Sequence, residues 1–378
     1  MPTPPSRSGG LVASESGRLA YVTPLTAPTR RMPAEWERHA ATWLAWPVHE
    51  PDWPGKFAPI PWVYAEIVRA LAQFERVDIL CHDPHVREQA RQVLTAHAVN
   101  IDNVRLHVAR TDRVWVRDSG PTGVHRPDGS VELVQWGFNA WAKYDNYLHD
   151  TRVPEHIAEL TSLPITRAQR ADANGAMVLE GGGIEVNGRG RILVTEEWLL
   201  TDIQVRNPGL SRRDYERAFS DWLGCPDTIW LGEGCVGDDT HGHVDDIARF
   251  TAPDTVVLAV ERDPADAENH RRSMDNLHRL KLVNGAPGPL RVIELPYPRA
   301  VMMDGVRLPA SYANFYIANG VVIVPTFNDP NDRVALNTLA GCFPDRAVVG
   351  IHAVDLVWGL GTLHCLTQQL PAPRRSRG

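Results

Sequence analysis

The chain has 378 residues, of which 43% are hydrophobic and 22% charged, which is typical of a soluble globular protein and unlike a disordered or fibrous one. Asp and Glu outnumber Lys and Arg by seven (46 against 39), which argues against non-specific nucleic-acid binding. The five cysteines include no Cys-x-x-Cys pair, so we expect neither a disulfide framework nor a thiolate zinc site.

The first part of the chain differs in composition from the rest. Residues 1–29 are rich in Pro, Ser, Thr and Gly without a sustained apolar period, which predicts a loosely ordered extension. They lack the apolar stretch of a signal peptide, and no later run approaches the ~18 apolar residues that span a bilayer, so we expect a cytoplasmic protein with no membrane partner. No long linker interrupts residues 30–372, which predicts one domain followed by a short tail at 373–378.

Short β-branched runs alternate with amphipathic windows along this domain, which predicts an α/β protein with many short strands. The predicted strands are Val77–Cys81, Val104–Val108, Val131–Val134, Arg191–Thr195, Thr228–Leu231, Asp246–Thr251, Thr255–Val260, Val292–Leu295, Val321–Pro325 and Ala347–Ile351. The predicted helices are Trp62–Gln73, His85–His97, Ser211–Leu223, Ala265–Leu280 and Asp332–Ala340.

Several connecting segments combine glycine or proline with polar and aromatic residues, as loops that carry catalytic groups do. They are residues 113–121, 136–145, 180–183, 237–246 and 310–315. A sixth, residues 359–371, is predicted to be a loop that presents Cys365, the alternative being a buried structural cysteine at the start of a strand. His364 is predicted not to serve as the base, because adjacent residues of an extended segment point to opposite faces.

The segment around His243 is predicted to build a site. Residues two apart in an extended segment point to the same side, so His243 and Asp245 are expected to face one cavity while Val244 faces the core. A lone histidine near a strand is more often structural, but Gly242 precedes this one and two further aspartates lie upstream. These neighbours favour a functional interpretation.

A thiol, a histidine and several carboxylates indicate covalent catalysis by Cys365 with His243 as the proton carrier. Surplus carboxylates raise the pKa of a thiol and oppose thiolate formation unless a cation arrives. A guanidinium group is such a cation, being planar, permanently charged and matched to carboxylates. We therefore predict that Asp118 and Asp245 clamp a guanidinium whose carbon Cys365 attacks, and that water then hydrolyses the covalent thiouronium to a ureido product.

A zinc site is the alternative for the same residues. His241 and His243, with Asp245 two positions further on, have the H-x-H-x-D spacing of metallohydrolases. No second histidine cluster follows at a comparable strand end, and zinc leaves the Cys365 segment unexplained. The sequence therefore predicts no metal and no other cofactor.

The chain is similar to the agmatine deiminase and bacterial-type peptidylarginine deiminase family, within the superfamily that modifies guanidino groups. The matching motifs follow the family order over residues 31–371. They are MPAEWE (32–37), TWLAWP (42–47), WVRDSGP (115–121), LEGG (179–182), DTHGHVD (239–245), SYANFYIAN (311–319) and LHCLTQQ (363–369).

This resemblance implies an α/β fold, a five-bladed α/β propeller (pentein fold) of five ββαβ-type units with pseudo-fivefold symmetry, forming a single domain with the site in its central well. It also implies Cys365 as nucleophile, His243 as general acid and base, Asp118 and Asp245 as guanidinium ligands, and Glu180 as a residue that orients the histidine or the substrate.

The walls of the pocket are predicted from aromatic and polar residues of the same motifs. Trp115, Trp136 and Trp141 are expected to stack on the cation and exclude solvent, the alternative being core packing. Asp239 and Asn314 are further candidate contacts to the substrate. They complete the predicted binding site.

Departures from the family pattern concern the substrate. Gly359-Leu-Gly-Thr stands where Gly-Gly-Asn is usual, His241 and Asp246 each stand where Asn is usual, and Arg113 replaces an acidic residue. The resemblance implies that the chemistry is kept and the pocket rim is altered. Agmatine, a small cation, is then the leading substrate, giving N-carbamoylputrescine and ammonia in putrescine biosynthesis. Peptidyl-arginine, another alkylguanidine and a non-catalytic guanidine-binding role remain alternatives, and a homodimer is expected.

Overall fold

The protein is described from a computed structural model that covers residues 30–283 and 288–374. The predicted extension at 1–29 and residues 375–378 of the predicted tail lie outside the described residues. Among the helices of the described ranges, none has both the length and the apolar composition needed to cross a membrane.

Short strands dominate the described chain. In chain order they are β1 (His39–Ala45), β2 (Val77–Cys81), β3 (Val104–Val108), β4 (Thr122–His125), β5 (Val131–Gln135), β6 (Ile165–Arg167), β7 (Glu185–Val186), β8 (Arg191–Thr195), β9 (Asp227–Leu231), β10 (Ala248–Ala252), β11 (Thr255–Val260), β12 (Arg291–Pro296), β13 (Met302–Met303), β14 (Val306–Arg307), β15 (Tyr316–Ile317), β16 (Val321–Thr326), β17 (Ala347–His352) and β18 (Gln368–Pro371).

Helices connect the strands. They are α1 (Ile60–Leu71), α2 (Pro84–Ala96), α3 (Val116–Ser119), α4 (Val153–Thr161), α5 (Glu196–Leu200), α6 (Arg212–Ala218), α7 (Ala267–Lys281), α8 (Asn331–Cys342) and α9 (Leu363–Leu366). Helix α6 continues into a single π-helical turn, Phe219–Leu223. Helix α1 buries a largely apolar face, as an amphipathic helix on the outside of a sheet does, whereas the buried residues of α7 are Asn269, Ser273, Asn276, Leu277 and Leu280.

The strands form five similar sheets. Four have three strands, in the orders β4-β5-β6, β7-β8-β9, β10-β11-β12 and β15-β16-β17, and the fifth is β18-β1-β2-β3. In each sheet an antiparallel pair is followed by a parallel neighbour, and in all five a helix lies between the parallel strands. In the fifth, β18 from the end of the chain pairs with β1 from its start, which closes the ring.

The expected five-bladed α/β propeller, a single pentein domain with pseudo-fivefold symmetry, is confirmed. Four predicted strands, at Val77–Cys81, Val104–Val108, Arg191–Thr195 and Thr255–Val260, have the observed bounds. Sequence reasoning missed the helices α3, α4, α5 and α9 and the strands β1, β4, β6, β7, β15 and β18, together with the short β13-β14 hairpin. It also predicted Asp246 as the start of a strand, which in fact begins at Ala248 after a 3₁₀ turn at Val244–Asp246.

Candidate active site

Five segments, one from each sheet, meet at the centre of the ring. Each directly precedes the first strand of its blade: Asp118 lies before β4, Glu180 before β7, Asp245 before β10, Asn314 before β15 and Cys365 before β18. All five side chains are buried. The topology therefore brings together residues that are up to 247 positions apart (365 minus 118).

Asp118 is held in the one-turn helix α3. Its Oδ1 accepts a hydrogen bond from the Gly182 backbone N–H (3.0 Å), and its Oδ2 accepts one from the Trp141 indole N–H (2.9 Å). Burial raises the pKa of Asp118 to about 6, despite the favourable charge of His243. The carboxylate is thus ionised at neutral pH but sensitive to mild acid.

His243 lies between two carboxylates. Its Nε2 is 3.5 Å from Glu180 Oε2, and its Nδ1 is 3.9 Å from Asp118 Oδ1 with no hydrogen-bond partner among the described residues. Burial lowers the pKa of His243, but Asp118 and Glu180 outweigh burial and raise this pKa to about 9. The imidazole therefore carries a proton at neutral pH.

Glu180 anchors this histidine. Its Oε1 accepts a hydrogen bond from Arg206 Nε (3.0 Å), and its Oε2 accepts one from the Trp198 indole (2.7 Å). Burial raises the pKa of Glu180, but Arg206 and His243 outweigh burial and lower this pKa to about 2. Glu180 is a permanent anion that fixes the position of His243.

Asp245 lies beside the thiol. Its Oδ2 is 2.7 Å from His364 Nδ1 and 3.6 Å from Cys365 Sγ. Its Oδ1 is buried without a hydrogen-bond partner among the described residues. Burial raises the pKa of Asp245, but the hydrogen bond to His364 and the charges of His364, His243 and Arg249 together outweigh burial and lower this pKa. One anionic oxygen next to Cys365 is therefore left to accept a donor.

Cys365 lies in the one-turn helix α9. Burial, followed by the charges of Asp245 and Asp246, raises the pKa of its thiol well above the usual value. Asn314 Nδ2 donates to Sγ (3.1 Å), and Asn314 Oδ1 accepts from the backbone N–H of His364 (3.0 Å). In the absence of a cation Cys365 is therefore a neutral thiol, held by its contact with Asn314.

A cavity of about 290 Å³ reaches this cluster, and both Asp118 and Cys365 line it. Trp115, Trp141 and Asp239 line it too, and their role as substrate contacts stays a prediction. Trp141 and its neighbours Ala140 and Ala142 have positive φ (59°, 50° and 54°), a strained conformation for non-glycine residues of the kind found at functional sites.

Three predicted substrate contacts, Trp136, Asn314 and Asp245, are not among the described residues that line the cavity. The indole of Trp136 donates to Thr122 Oγ1 (2.9 Å) and packs in the core of the neighbouring blades, so its predicted stacking on the substrate is wrong. Asn314 is not among the described residues that line the cavity, and its Nδ2 donates a hydrogen bond to Cys365 Sγ. Its position suits a residue that orients the nucleophile.

The local conformation also differs from the prediction. Asp245 lies in a 3₁₀ turn and Cys365 in a helical turn, whereas both segments were expected to be extended. The ring of His364 consequently contacts Asp245 through its Nδ1 and Glu35 Oε2 through its Nε2 (2.8 Å). Val244 is buried in the core as predicted.

Glu35 is a residue whose role sequence reasoning missed, although the motif at 32–37 contains it. It is buried and contacts Arg249, Arg117 and His364. The signal available in the sequence was an acidic residue between the apolar residues Ala34 and Trp36 of this motif. Pattern alone could not place it at the centre of the ring.

The two histidines of the zinc alternative have separate partners. The ring of His241 contacts Thr201 (3.1 Å), whereas that of His243 contacts Glu180. Within the described ranges, one group has the spacing to hold a metal ion, formed by Asp245, Asp246 and Cys365. It includes neither histidine, so a His241–His243 zinc site does not follow from this arrangement.

Residues 31–371 match a family model described as Porphyromonas-type peptidyl-arginine deiminase. The match includes every candidate site residue, from Asp118 to Cys365. Similar proteins include agmatine deiminases of Pseudomonas aeruginosa (strain LESB58), with 36% identity over 92% of this chain and 96% of that protein, and of Ectopseudomonas mendocina (strain ymp), with 35% identity over 93% and 100%.

A similar solved structure is that of an agmatine deiminase of Enterococcus faecalis. It superposes with a TM-score of 0.83 at 31% identity and covers 91% of this chain and 96% of that one. The similarity therefore extends over the whole ring and includes all five central segments.

Proposed function

The chain belongs to the Porphyromonas-type peptidyl-arginine deiminase family, and we propose that it hydrolyses agmatine to N-carbamoylputrescine and ammonia through a covalent intermediate on Cys365. The relatives named as agmatine deiminases support the substrate. The observation that carries the proposal is the buried Asp245 Oδ1, unpaired beside a thiol and near a second carboxylate, Asp118.

The substrate supplies the missing cation. A guanidinium between Asp118 and Asp245 donates hydrogen bonds to both carboxylates, and each of these charge-assisted bonds contributes about 1.5–3 kcal/mol. The positive charge beside Cys365 also offsets the carboxylates that raise its pKa, so the thiol releases its proton to solvent and becomes a thiolate when the substrate binds. Nucleophile activation is thereby coupled to the correct ligand.

His243 moves the protons. The Cys365 thiolate attacks the guanidinium carbon, and the imidazolium of His243 protonates the nitrogen that leaves as ammonia. The neutral imidazole then deprotonates a water molecule, which attacks the thiouronium carbon and releases the ureido product. A pKa of His243 near 9 suits the first of these steps, because the acid is already protonated at neutral pH.

A cysteine substitution tests the proposal. We expect Cys365→Ala to release no ammonia from agmatine and to form no ureido product in a colorimetric assay, because the nucleophile is lost. Cys342→Ala is the matched control, since Cys342 lies at the end of α8, outside the described lining of the cavity. Wild-type turnover by Cys365→Ala would contradict the proposal.

Alternatives remain for the substrate. Peptidyl-arginine or another alkylguanidine fits the same inner clamp, and turnover of a blocked arginine peptide in preference to agmatine would favour them. A zinc hydrolase would contain stoichiometric metal and lose turnover on chelation. We also propose a cytoplasmic enzyme and a homodimer, as expected from the sequence and from the family resemblance.

A further inference from the structure

A second cavity, of about 370 Å³, shares no described lining residue with the cavity at Cys365. The candidate site residues Asp118 and Glu180 precede β4 and β7, whereas the second cavity is lined by His125, the last residue of β4, and by Arg189, which follows β7. Strand β4 has four residues and is therefore about 13 Å long. The second cavity thus lies at the other end of these strands from the candidate active site.

The ionisable side chains of this lining are basic. Among the described residues they are Arg30, Arg31, His125, Arg126, Arg189 and Arg374, and we call the second cavity the basic cavity. The nearby Asp128 does not line it and accepts a hydrogen bond from Ser130 Oγ (2.6 Å). The chain as a whole has seven more Asp and Glu than Lys and Arg residues (46 against 39). An acidic protein therefore concentrates positive charge in this cavity.

Two carboxylates neutralise part of this charge. Glu132 accepts hydrogen bonds from Arg30 Nη2 (3.1 Å) and from Arg126 Nε (3.0 Å), and Glu37 accepts two from Arg31 (2.6 and 2.7 Å). Burial raises the pKa of Glu132, but its hydrogen bonds from Arg30 and Arg126 outweigh burial and lower this pKa to about 2. Three arginines are thus paired with two carboxylates.

The remaining two arginines have no acidic partner. Among the described residues, neither Arg189 nor Arg374 has an ion pair or a side-chain hydrogen bond, and both are exposed. His125 adds no charge at neutral pH, because burial and the charges of Arg31 and Arg374 lower its pKa. Five guanidinium groups and two carboxylates leave three positive charges at the basic cavity.

Two of the paired arginines are held in place by further contacts. The guanidinium carbon of Arg30 lies 4.9 Å from the centroid of the Trp222 ring. Arg31 also donates to the Gly188 carbonyl oxygen (2.9 Å) and to His125 Nδ1 (3.0 Å), while its Nε is buried without a hydrogen-bond partner among the described residues. These fixed planar groups suit an anion that presents several oxygens.

The excess charge indicates which anion fits. A phosphate group carries about 1.5–2 negative charges at neutral pH, so two linked phosphates offset the three positive charges. Arginine suits phosphate because its planar fork can donate two parallel hydrogen bonds to one phosphate group. A single carboxylate would leave most of the excess charge unpaired.

We propose that the basic cavity binds a diphosphate group, either as inorganic pyrophosphate or as part of a nucleotide, with Arg189 and Arg374 as its ligands. This inference goes beyond the proposed deiminase function and uses none of the candidate catalytic residues. It adds a second binding site to the ring.

Titration calorimetry at fixed ionic strength tests the proposal with pyrophosphate, ATP and orthophosphate as probes. We expect one pyrophosphate to bind each wild-type chain more tightly than orthophosphate, and Arg189→Gln or Arg374→Gln to raise the Kd of pyrophosphate about tenfold, as loss of a charged hydrogen bond implies. Added NaCl should weaken binding as well. Competition by ATP would support a nucleotide as the source of the diphosphate, and binding of pyrophosphate alone would support the free anion.

Arg333→Gln is the matched control, because it makes the same change of charge. Arg333 is exposed on α8, has no ion pair among the described residues and lies outside the described lining of the basic cavity. We expect it to leave the Kd of pyrophosphate unchanged. Thermal melting checks that all three variants are folded.

Three results would overturn the proposal. The first is a wild-type protein that binds neither pyrophosphate nor ATP at millimolar concentration. The second is an equal Kd in the wild type and in folded Arg189→Gln and Arg374→Gln, which would place the anion elsewhere. The third is co-sedimentation with phosphatidylserine vesicles that pyrophosphate does not reverse, which would indicate a membrane-binding surface instead. None of these measurements depends on turnover of agmatine, so failure of this proposal is distinguishable from failure of the deiminase function.

Discussion

Two residues set the protonation state of the site. Asp118 has a pKa of about 6 because burial raises it, and His243 has a pKa of about 9 because Asp118 and Glu180 outweigh its burial. The proposed mechanism uses Asp118 as an anion and His243 as a cation. Both states coexist between these two values, whereas a guanidinium substrate stays charged throughout that range.

A bell-shaped pH profile is therefore expected for kcat/KM with agmatine. Activity falls as the pH drops below about 6, because Asp118 becomes protonated and no longer pairs with the guanidinium. It falls again as the pH rises above about 9, because His243 loses the proton that the leaving ammonia needs. Steady-state assays from pH 5 to pH 10 measure both limbs.

The assignment of the acid limb can be checked separately. Asp118→Asn removes the titrating group, so we expect a much lower kcat/KM together with loss of the limb near pH 6. An unchanged limb in that variant would mean that another group controls it. Asp128→Asn, at an exposed position outside the described lining of the cavity, serves as the control.

At the scale of elements, the site depends on short segments that precede the first strand of each blade. Sequence reasoning found the long buried strands, such as β2, β8 and β11, because their β-branched residues are contiguous. It missed first strands such as β18, whose sequence Gln-Gln-Leu-Pro has little β propensity and which is held by pairing with β1. These segments are positioned by pairing with strands that are distant in the sequence. The local residue pattern does not encode such pairing.

Sequence reasoning identified the site residues but did not predict their backbone conformation. Cys365, His243, Asp118 and Asp245 were identified by chemical type, and the ring brings them together. The segments that carry Asp245 and Cys365 were predicted to be extended, but tight turns orient both residues. The rule that residues two apart point to the same side holds within a strand. It does not apply to a turn directly before a strand.

Gly182 shows how closely these segments approach one another. A Cβ at this position would lie 2.6 Å from His243 Nδ1 and 3.0 Å from Asp118 Oδ1. We expect Gly182→Ala to lower kcat/KM with agmatine about a hundredfold, because it displaces the imidazole from its place between the carboxylates. Steady-state kinetics measures the effect, and thermal melting checks that the variant is folded.

Gly341→Ala is the matched control. Gly341 lies near the end of α8, with no described atom within 4 Å of the added methyl group, so alanine is expected to leave activity unchanged and to stabilise the helix by up to about 1 kcal/mol. Wild-type kinetics in Gly182→Ala would show that the centre of the ring is less tightly packed than the structure indicates.

At the scale of the whole molecule, a buried network around Glu35 connects the blades beneath the site. Glu35 accepts hydrogen bonds from Arg249 (2.8 Å) and from the backbone N–H of Ile317 (2.9 Å), and its Oε2 lies 2.8 Å from His364 Nε2. Arg117 also donates to Glu35 (3.3 Å). Segments of four blades thus converge on one carboxylate, which lies just before β1.

The charges of this network make it sensitive to single changes. Burial raises the pKa of Glu35, but Arg249 and His364 outweigh burial and hold this pKa well below its usual value. Arg249 also donates to Glu185 (2.7 Å), which brings in the remaining blade. Since His364 in turn contacts Asp245, the network joins closure of the ring to the placement of Asp245.

Replacing Glu35 by Gln should therefore affect stability and activity together. The amide presents N–H donors where Arg249 and His364 also donate, and breaking a buried charged pair of this kind costs about 3–5 kcal/mol in the free energy of unfolding. Urea unfolding measures this loss, and we expect kcat with agmatine to fall as well because His364 and Asp245 shift. Glu88→Gln, on the exposed face of α2 and paired only with nearby residues of that helix, should change the free energy of unfolding by no more than about 0.5 kcal/mol. If Glu35→Gln instead unfolded like the wild type and retained its kcat, the link between ring closure and the active site would be refuted.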